Sequence, residues 1–222
     1  MKRMFGKVEA IFNATYLAVA LGLGIFLVIT ADGWGVRSLA GTMALVLAGG
    51  DAFHLVPRIL SVCTGDEARF RRALGIGKMI TSVTMTWFYV LLWHIGHLLF
   101  QPPDIGVWSV CLYSLALLRS ALCIMPQNQW EEINPPGRWG IWRNLPFSAM
   151  GLMVAGLFFV YRDDSRGIGP IWAAVLMSFL FYLPVVLFSR KYPRVGMLML
   201  PKTLMYVWIL AMCLALPGIV MM

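Results

Sequence analysis

The sequence predicts an all-α fold: a bundle of seven transmembrane helices forming a single membrane domain over residues 1–222. Three observations predict it. Hydrophobic residues make up 60% of the 222 positions and charged residues only 13%, with a mean hydropathy of +0.78. A soluble domain carries roughly 25% charged residues and cannot place that much apolar surface in one core. Seven apolar stretches approach the about 20 residues that a helix needs to cross a bilayer, and Lys and Arg are shared unevenly among the segments between them. This composition excludes a cytosolic enzyme, a secreted disulfide scaffold and a disordered regulator.

The first span, about 9–30, follows a basic start, Met1 to Lys7, that resembles a signal peptide. The apolar run continues to Ile29 with no clear small-residue cleavage site, so it reads as a membrane helix. Ala31-Asp32-Gly33 breaks the chain before the second span, about 38–60, and the charged Gly65 to Arg72 stretch breaks it before the third, about 77–100. Gln101-Pro102-Pro103-Asp104 precedes the fourth, about 106–125. A polar and aromatic linker from Pro126 to Trp139, with Pro135-Pro136-Gly137 inside it, leads to the fifth, about 142–161. Arg162 to Arg166 separates it from the sixth, about 168–189, and the seventh runs over about 196–221.

The net charge of +8 is chiefly a topology signal. With the N-terminus inside, the cytosolic segments hold thirteen positive residues: Lys2, Arg3, Lys7, Arg58, Arg69, Arg71, Arg72, Lys78, Arg138, Arg143, Arg190, Lys191 and Arg194. The outer loops hold Arg37, Arg162 and Arg166. Translocated loops avoid Lys and Arg, so the expected orientation is N-in and C-out in the cytoplasmic membrane. Two of the 18 positives, Arg119 and Lys202, lie inside spans and are not explained by topology.

Ionisable groups inside a span cost about 2.5–3.5 kcal/mol each on insertion scales and need a reason. Asp51, His54 and Arg58 fall at i, i+3 and i+7 on one helical face. That stripe is expected to face the bundle interior, with Asp51 paired by His54 or by a basic neighbour. It reads as a substrate or proton site, or as a polar staple between helices with Arg58 reaching to the interface. The same cytosolic half receives Arg119 from the fourth span, Lys202 and Tyr206 from the seventh, Asn13 and Tyr16 from the first, Asn144 from the fifth and Tyr182 from the sixth. The expectation is a net-basic cavity open to the cytosol that holds an anionic or amphiphilic small molecule, with Arg119 and Lys202 as counter-charges.

Neither a metal nor a cofactor is expected. Asp51-x-x-His54 and His94-x-x-His97 are of ligand type, but counting from the cytosolic ends at 1.5 Å per residue puts Asp51 about 13 Å deep and His94 about 26 Å. Zinc ligands must lie about 2 Å from the ion. His94 and His97, beside Trp93, read as outer-belt residues or a separate outer site. Cys63, Cys111, Cys123 and Cys213 show no metal-like spacing and read as structural. Lys202 in the seventh span invites comparison with microbial rhodopsins, but those run N-out with a mid-helix Lys, whereas Lys202 follows Pro201 near the cytosolic start. Adjacent Glu131 and Glu132 resemble the paired glutamates of intramembrane CAAX-type proteases, yet all three His residues precede them here, opposite to that family's order.

Spans one to three and five to seven can be superposed. Asn13-Ala-Thr-Tyr matches Asn144-Leu-Pro-Phe, Phe53-His-Leu-Val-Pro57 matches Phe181-Tyr-Leu-Pro184, and Lys78 matches Lys202. The resulting 3+1+3 plan of parallel repeats is similar in outline to SWEET sugar transporters and nicotinamide riboside transporters, though no diagnostic motif of either covers this chain. Transporters place the site between such halves. The expected function is therefore a small-molecule transporter or membrane binding protein using Asp51, His54, Arg58, Arg119, Lys202, Tyr206, Asn13, Asn144 and Tyr182. The alternatives are a lipid-processing enzyme with Asp51 and His54 as acid and base, and a non-catalytic assembly partner. Expected partners are the bilayer and a small-molecule or lipid ligand, not nucleic acid; catalytic residues and oligomeric state are left open.

Overall fold

The computed structural model describes residues 2–103, 105–132, 135–163, 167–189 and 191–218. Asp104, Asn134, Arg166 and Arg190, used above for breaks and charge, lie outside the described residues. So do positions 219–221 of the seventh expected span. Among the described residues the chain is helical throughout, with no strand. The helices are α1 (Lys2–Ile29), α2 (Val36–Thr64), α3 (Glu67–Phe100), α4 (Ile105–Ile124), α5 (Gly137–Val160), α6 (Ile171–Phe188) and α7 (Met199–Met212). Short 3₁₀ turns at Pro126–Asn128, Pro193–Leu198 and Cys213–Ala215 flank the last helices.

All seven spans are long and apolar enough to cross a membrane, the seventh when its 3₁₀ flanks are included, as Arg194–Ala215. The outward surface agrees: Ile11, Ile29, Val110, Leu117, Leu145 and Leu180 are between 61% and 71% exposed. A water-soluble monomer does not present apolar surface on that scale. The chain is read accordingly as a multi-pass membrane protein.

Each helix packs on the next, and α7 returns to α1, which closes the bundle into a ring. α3 also touches α5 across the interior, and half of its most apolar window is buried, against 22% for α4. Glycines set the closest approaches. A Cβ at Gly50 would overlap the Thr84 side chain, and one at Gly77 would overlap the Phe53 carbonyl and approach the His54 Cα. Pro57, inside α2, removes the donor that would bond Phe53 O four residues back. That freed carbonyl is the one lying against Gly77. The α2–α3 contact thus fixes His54 against α3.

The two largest departures from the expected boundaries are at the start of α3 and the end of α7; α1 and α5 also begin earlier than expected, at Lys2 and Gly137. The charged stretch after Gly65 is not a break beyond one turn, because α2 ends at Gly65 (φ +75°) and α3 begins immediately at Glu67. Asp66 caps α3, its Oδ1 accepting from Arg69 N at 3.0 Å, and Glu67 sits in the first turn, where the helix dipole favours a negative charge. α3 therefore reaches 34 residues. The seventh helix is shorter than expected, ending at Met212 and passing through a 3₁₀ turn to Leu216-Pro217. Arg37, expected in an outer loop, is structural: it bonds Thr30 Oγ1 at 2.9 Å and the carbonyls of Leu214 and Leu216 at 3.0 and 2.5 Å, satisfying the end of α7's 3₁₀ extension.

Candidate functional site

A cavity of about 660 Å³ opens at the end of the bundle that gathers the α2–α3 turn, the α4–α5 linker and the α6–α7 connection. This is the end that the charge distribution predicts to be cytosolic. Its charged lining is entirely basic: Lys78 of α3, Arg119 of α4, Arg143 of α5 and Lys202 of α7, joined by His54 of α2. Among the described residues no Asp or Glu lines it. Among the described residues, the ion pairs are Arg58–Glu9, Arg58–Glu67, Arg72–Glu131 and Arg162–Asp163, and none involves a cavity cation.

Aromatic faces hold the cations in place of carboxylates. The Arg119 guanidinium stands 3.4 Å over the Phe147 ring, and Phe147 packs edge-on to Tyr89 and Tyr182. Lys202 Nζ lies 4.5 Å from the Tyr182 ring centre and 5.1 Å from that of Tyr206. Such contacts offset about 2 kcal/mol of desolvation when buried. They leave hydrogen-bonding capacity unused. Arg119 is 3% exposed, and its Nε and Nη1 have no hydrogen-bond partner; His54 Nδ1 is likewise buried and unpartnered. Buried polar groups are otherwise almost always satisfied, so three orphan nitrogens on two cavity-lining residues are a specific feature.

The mouth is built by the α4–α5 linker. Asn128, fully buried, donates from Nδ2 to the carbonyls of Leu122, Cys123 and Met125 at 2.6, 3.3 and 2.9 Å, closing the end of α4. Its Oδ1 accepts from Arg143 Nη1 at 2.8 Å, and the same guanidinium stacks 4.1 Å over Trp130. Trp130 Nε1 donates to Cys123 O at 2.9 Å. The linker tryptophan is thus a cavity wall, and the backbone of Trp130 and Glu131 presses on Gly75, where a Cβ would not fit. Tyr182 donates to Asn144 Oδ1 at 2.7 Å, and Asn144 Nδ2 donates to Gly140 O at 2.7 Å, so this pair is a preset rim rather than a set of free donors.

Of the nine residues singled out from sequence, the structure brings His54, Arg119, Asn144, Tyr182 and Lys202 together on the cavity, and leaves Asp51, Arg58, Asn13 and Tyr206 off its lining. Asp51 is paired neither by His54 nor by a base: its Oδ2 accepts from Tyr16 at 2.6 Å. Arg58 bonds Glu9 through Nε at 2.9 Å and Nη2 at 3.2 Å and lies 3.6 Å from Glu67, which staples α1, α2 and α3 near their ends. The expected single stripe is therefore divided among three roles by partners on other helices. Tyr206 is buried behind Lys202 against Phe88, and Asn13 is buried one turn before Tyr16. His94 is tied to Val90 O and to the Tyr113 hydroxyl, both at 2.9 Å, as an α3–α4 staple. Cys123 and Cys213 are buried; Cys63 and Cys111 are exposed.

Sequence reasoning missed Lys78 and Arg143 as lining residues because both were absorbed into the charge sort. One signal was available: Lys78 matches Lys202, and His54 matches Tyr182, in the superposed halves, and all four line the cavity. Neither family models, curated proteins nor solved structures give a match to this chain.

Proposed function

We propose that this protein is a multi-pass membrane protein that binds an anionic small molecule, or the anionic head of an amphiphile, in its basic cavity from the cytosolic side. The observation that carries the reading is Arg119: a buried guanidinium with two unpartnered nitrogens, in a cavity whose described lining holds four cations and no carboxylate. An isolated buried cation is costly, and an entering anion supplies both the counter-charge and the missing acceptors. The cavity volume of about 660 Å³ suits a metabolite-sized ligand or a headgroup. Asp51 is not among the cavity's lining residues and its hydrogen bond comes from Tyr16 rather than His54, which disfavours an acid–base pair acting on lipid.

A transport role is the second reading, favoured by the matched pairs His54/Tyr182 and Lys78/Lys202, which put the cavity between the two proposed halves. The binding test is thermal unfolding of detergent-purified protein against sulfate, phosphate, small carboxylates and short-chain anionic lipids, with chloride at equal ionic strength as reference. At 100 times Kd a ligand stabilises by about 2.7 kcal/mol. The proposal expects one anion class to stabilise the wild type but not Arg119→Met. If no anion acts beyond ionic strength, the proposal fails. Uptake of the stabilising anion into proteoliposomes then separates transport from binding alone.

A further inference from the structure

Asp51 has no place in the cavity, yet its position is unusual. It lies thirteen residues before Thr64 and fifteen after Val36, so about 20 Å of helix separates it from either end of α2. A carboxylate at that depth needs a cation or a proton. Among the described residues no cation pairs with it; it is half-buried and takes one hydrogen bond, from a Tyr16 that is 3% exposed. Its surroundings are few. α1 presents Tyr16, α7 presents Lys202 and Tyr206, and α2 itself carries His54 one turn on. α3 offers only the Thr81 and Thr84 hydroxyls, committed to the carbonyls of Gly50, Ile80 and Thr81. Asp51 borders the cavity all the same: Thr81, whose hydroxyl bonds the carbonyl of the adjoining Gly50 at 2.9 Å, and His54, one turn on, both line it with Lys202 and Arg119.

We infer that Asp51, held by Tyr16 beside the cavity, is a proton-binding site linked to its occupancy, so that the protein takes up a proton as it binds an anion. This rests on the anion-binding reading above. With the cavity empty, the uncompensated field of the four lining cations offsets part of the cost of burying the ionised carboxylate. An anion on Arg119 and Lys202 cancels that field and adds its own negative charge, and in a medium of low dielectric both effects drive a proton onto Asp51. The proton comes from water and bonds the free carboxylate oxygen Oδ1; Tyr16 keeps its hydroxyl hydrogen and no other bond changes. Linkage is reciprocal, so anion affinity falls as rising pH strips the proton. In a transporter, such a site couples anion movement to protons.

Sulfate is the probe, because it does not itself titrate near neutral pH. Detergent-purified protein in weak buffer with a pH indicator is expected to take up a proton, approaching one per sulfate bound. Asp51→Asn, whose amide oxygen still accepts from Tyr16, is expected to bind sulfate at pH 6 with no uptake and with a shallower dependence of affinity on pH than the wild type. His54→Gln is expected to keep the uptake per sulfate. An infrared difference spectrum of the wild type, with sulfate minus without, is expected to gain the carbonyl stretch of a protonated carboxylic acid. Sulfate binding with no proton uptake, uptake that survives Asp51→Asn, uptake lost in His54→Gln, or absence of the infrared band overturns the proton site and leaves the cavity reading standing. Failure of sulfate to bind the wild type removes the anion from the linkage and overturns both.

Discussion

Replacing Arg119 by Met separates a binding site from a structural staple, because the two roles give opposite signs. Met is unbranched and fills the guanidinium's channel with apolar atoms. The change removes two unpartnered buried nitrogens, each costing about 1–3 kcal/mol. Against that relief stands the lost contact with Phe147, 3.4 Å below the guanidinium, worth about 2 kcal/mol. The balance runs from neutral to a stabilisation of about 4 kcal/mol in the absence of a binding anion, in line with buried ionic groups replaced by apolar ones elsewhere. The assay is unfolding of the purified protein by graded urea in mild nonionic detergent, followed by tryptophan fluorescence, with chloride as the only anion. Repeated in sulfate, the wild type is expected to gain stability and the variant to gain none. A variant destabilised by more than about 2 kcal/mol in chloride would refute the reasoning, since Arg119 would then hold the fold through Phe147 rather than wait for a ligand.

Tyr16→Phe removes the one hydrogen bond that Asp51 accepts among the described residues; a loss of about 1–3 kcal/mol is expected in the same unfolding assay, larger at high pH, where the carboxylate is charged. Gly77→Ala puts a methyl group against the Phe53 carbonyl and the His54 Cα, both backbone, so α2 must move away from α3. A loss of about 1–3 kcal/mol, with weaker sulfate binding through the displaced His54, is the expected result. Asn128→Ala frees the last carbonyls of α4 and unlatches Arg143; it should cost about 1–3 kcal/mol and raise the protease sensitivity of the 126–136 linker. Cys63, exposed beside the α2–α3 turn, is expected to react with a membrane-impermeant maleimide in inverted vesicles and not in right-side-out cells; the opposite pattern reverses the assigned orientation.

The spans were legible because a bilayer imposes a length and an apolarity that local composition reports directly. The first turns of α3 were hidden by the same measure: Glu67 to Arg72 is too charged to read as membrane, although Asp66 followed by Arg69 carries the capping pattern that starts a helix there. At the site, Arg119 and Lys202 stood out because topology did not explain them. Lys78 and Arg143 did not, since a basic residue near a cytosolic end already has a reason to be present. Partners distant in sequence were not readable. Glu9 claims Arg58 from 49 residues away and Tyr16 claims Asp51 from 35, and those two bonds convert one apparent stripe into separate devices.

The length of α3 carries a consequence for the lipid around the protein. At 1.5 Å per residue its 34 residues extend about 51 Å, against a hydrocarbon core of about 30 Å, so some four turns stand outside that core. Arg69, Arg71 and Arg72 are exposed on the water end of this overhang, a few turns from Lys78 at the cavity mouth. A basic residue held at an anionic leaflet gains about 1 kcal/mol. On the anion-binding proposal and the expected orientation, the helix would gauge surface charge: acidic lipids gathered by the overhang would crowd the entrance with headgroups competing for the same cations. Vesicles of neutral lipid would leave the entrance open, and the choice of reconstitution lipid becomes a variable of binding rather than a background condition.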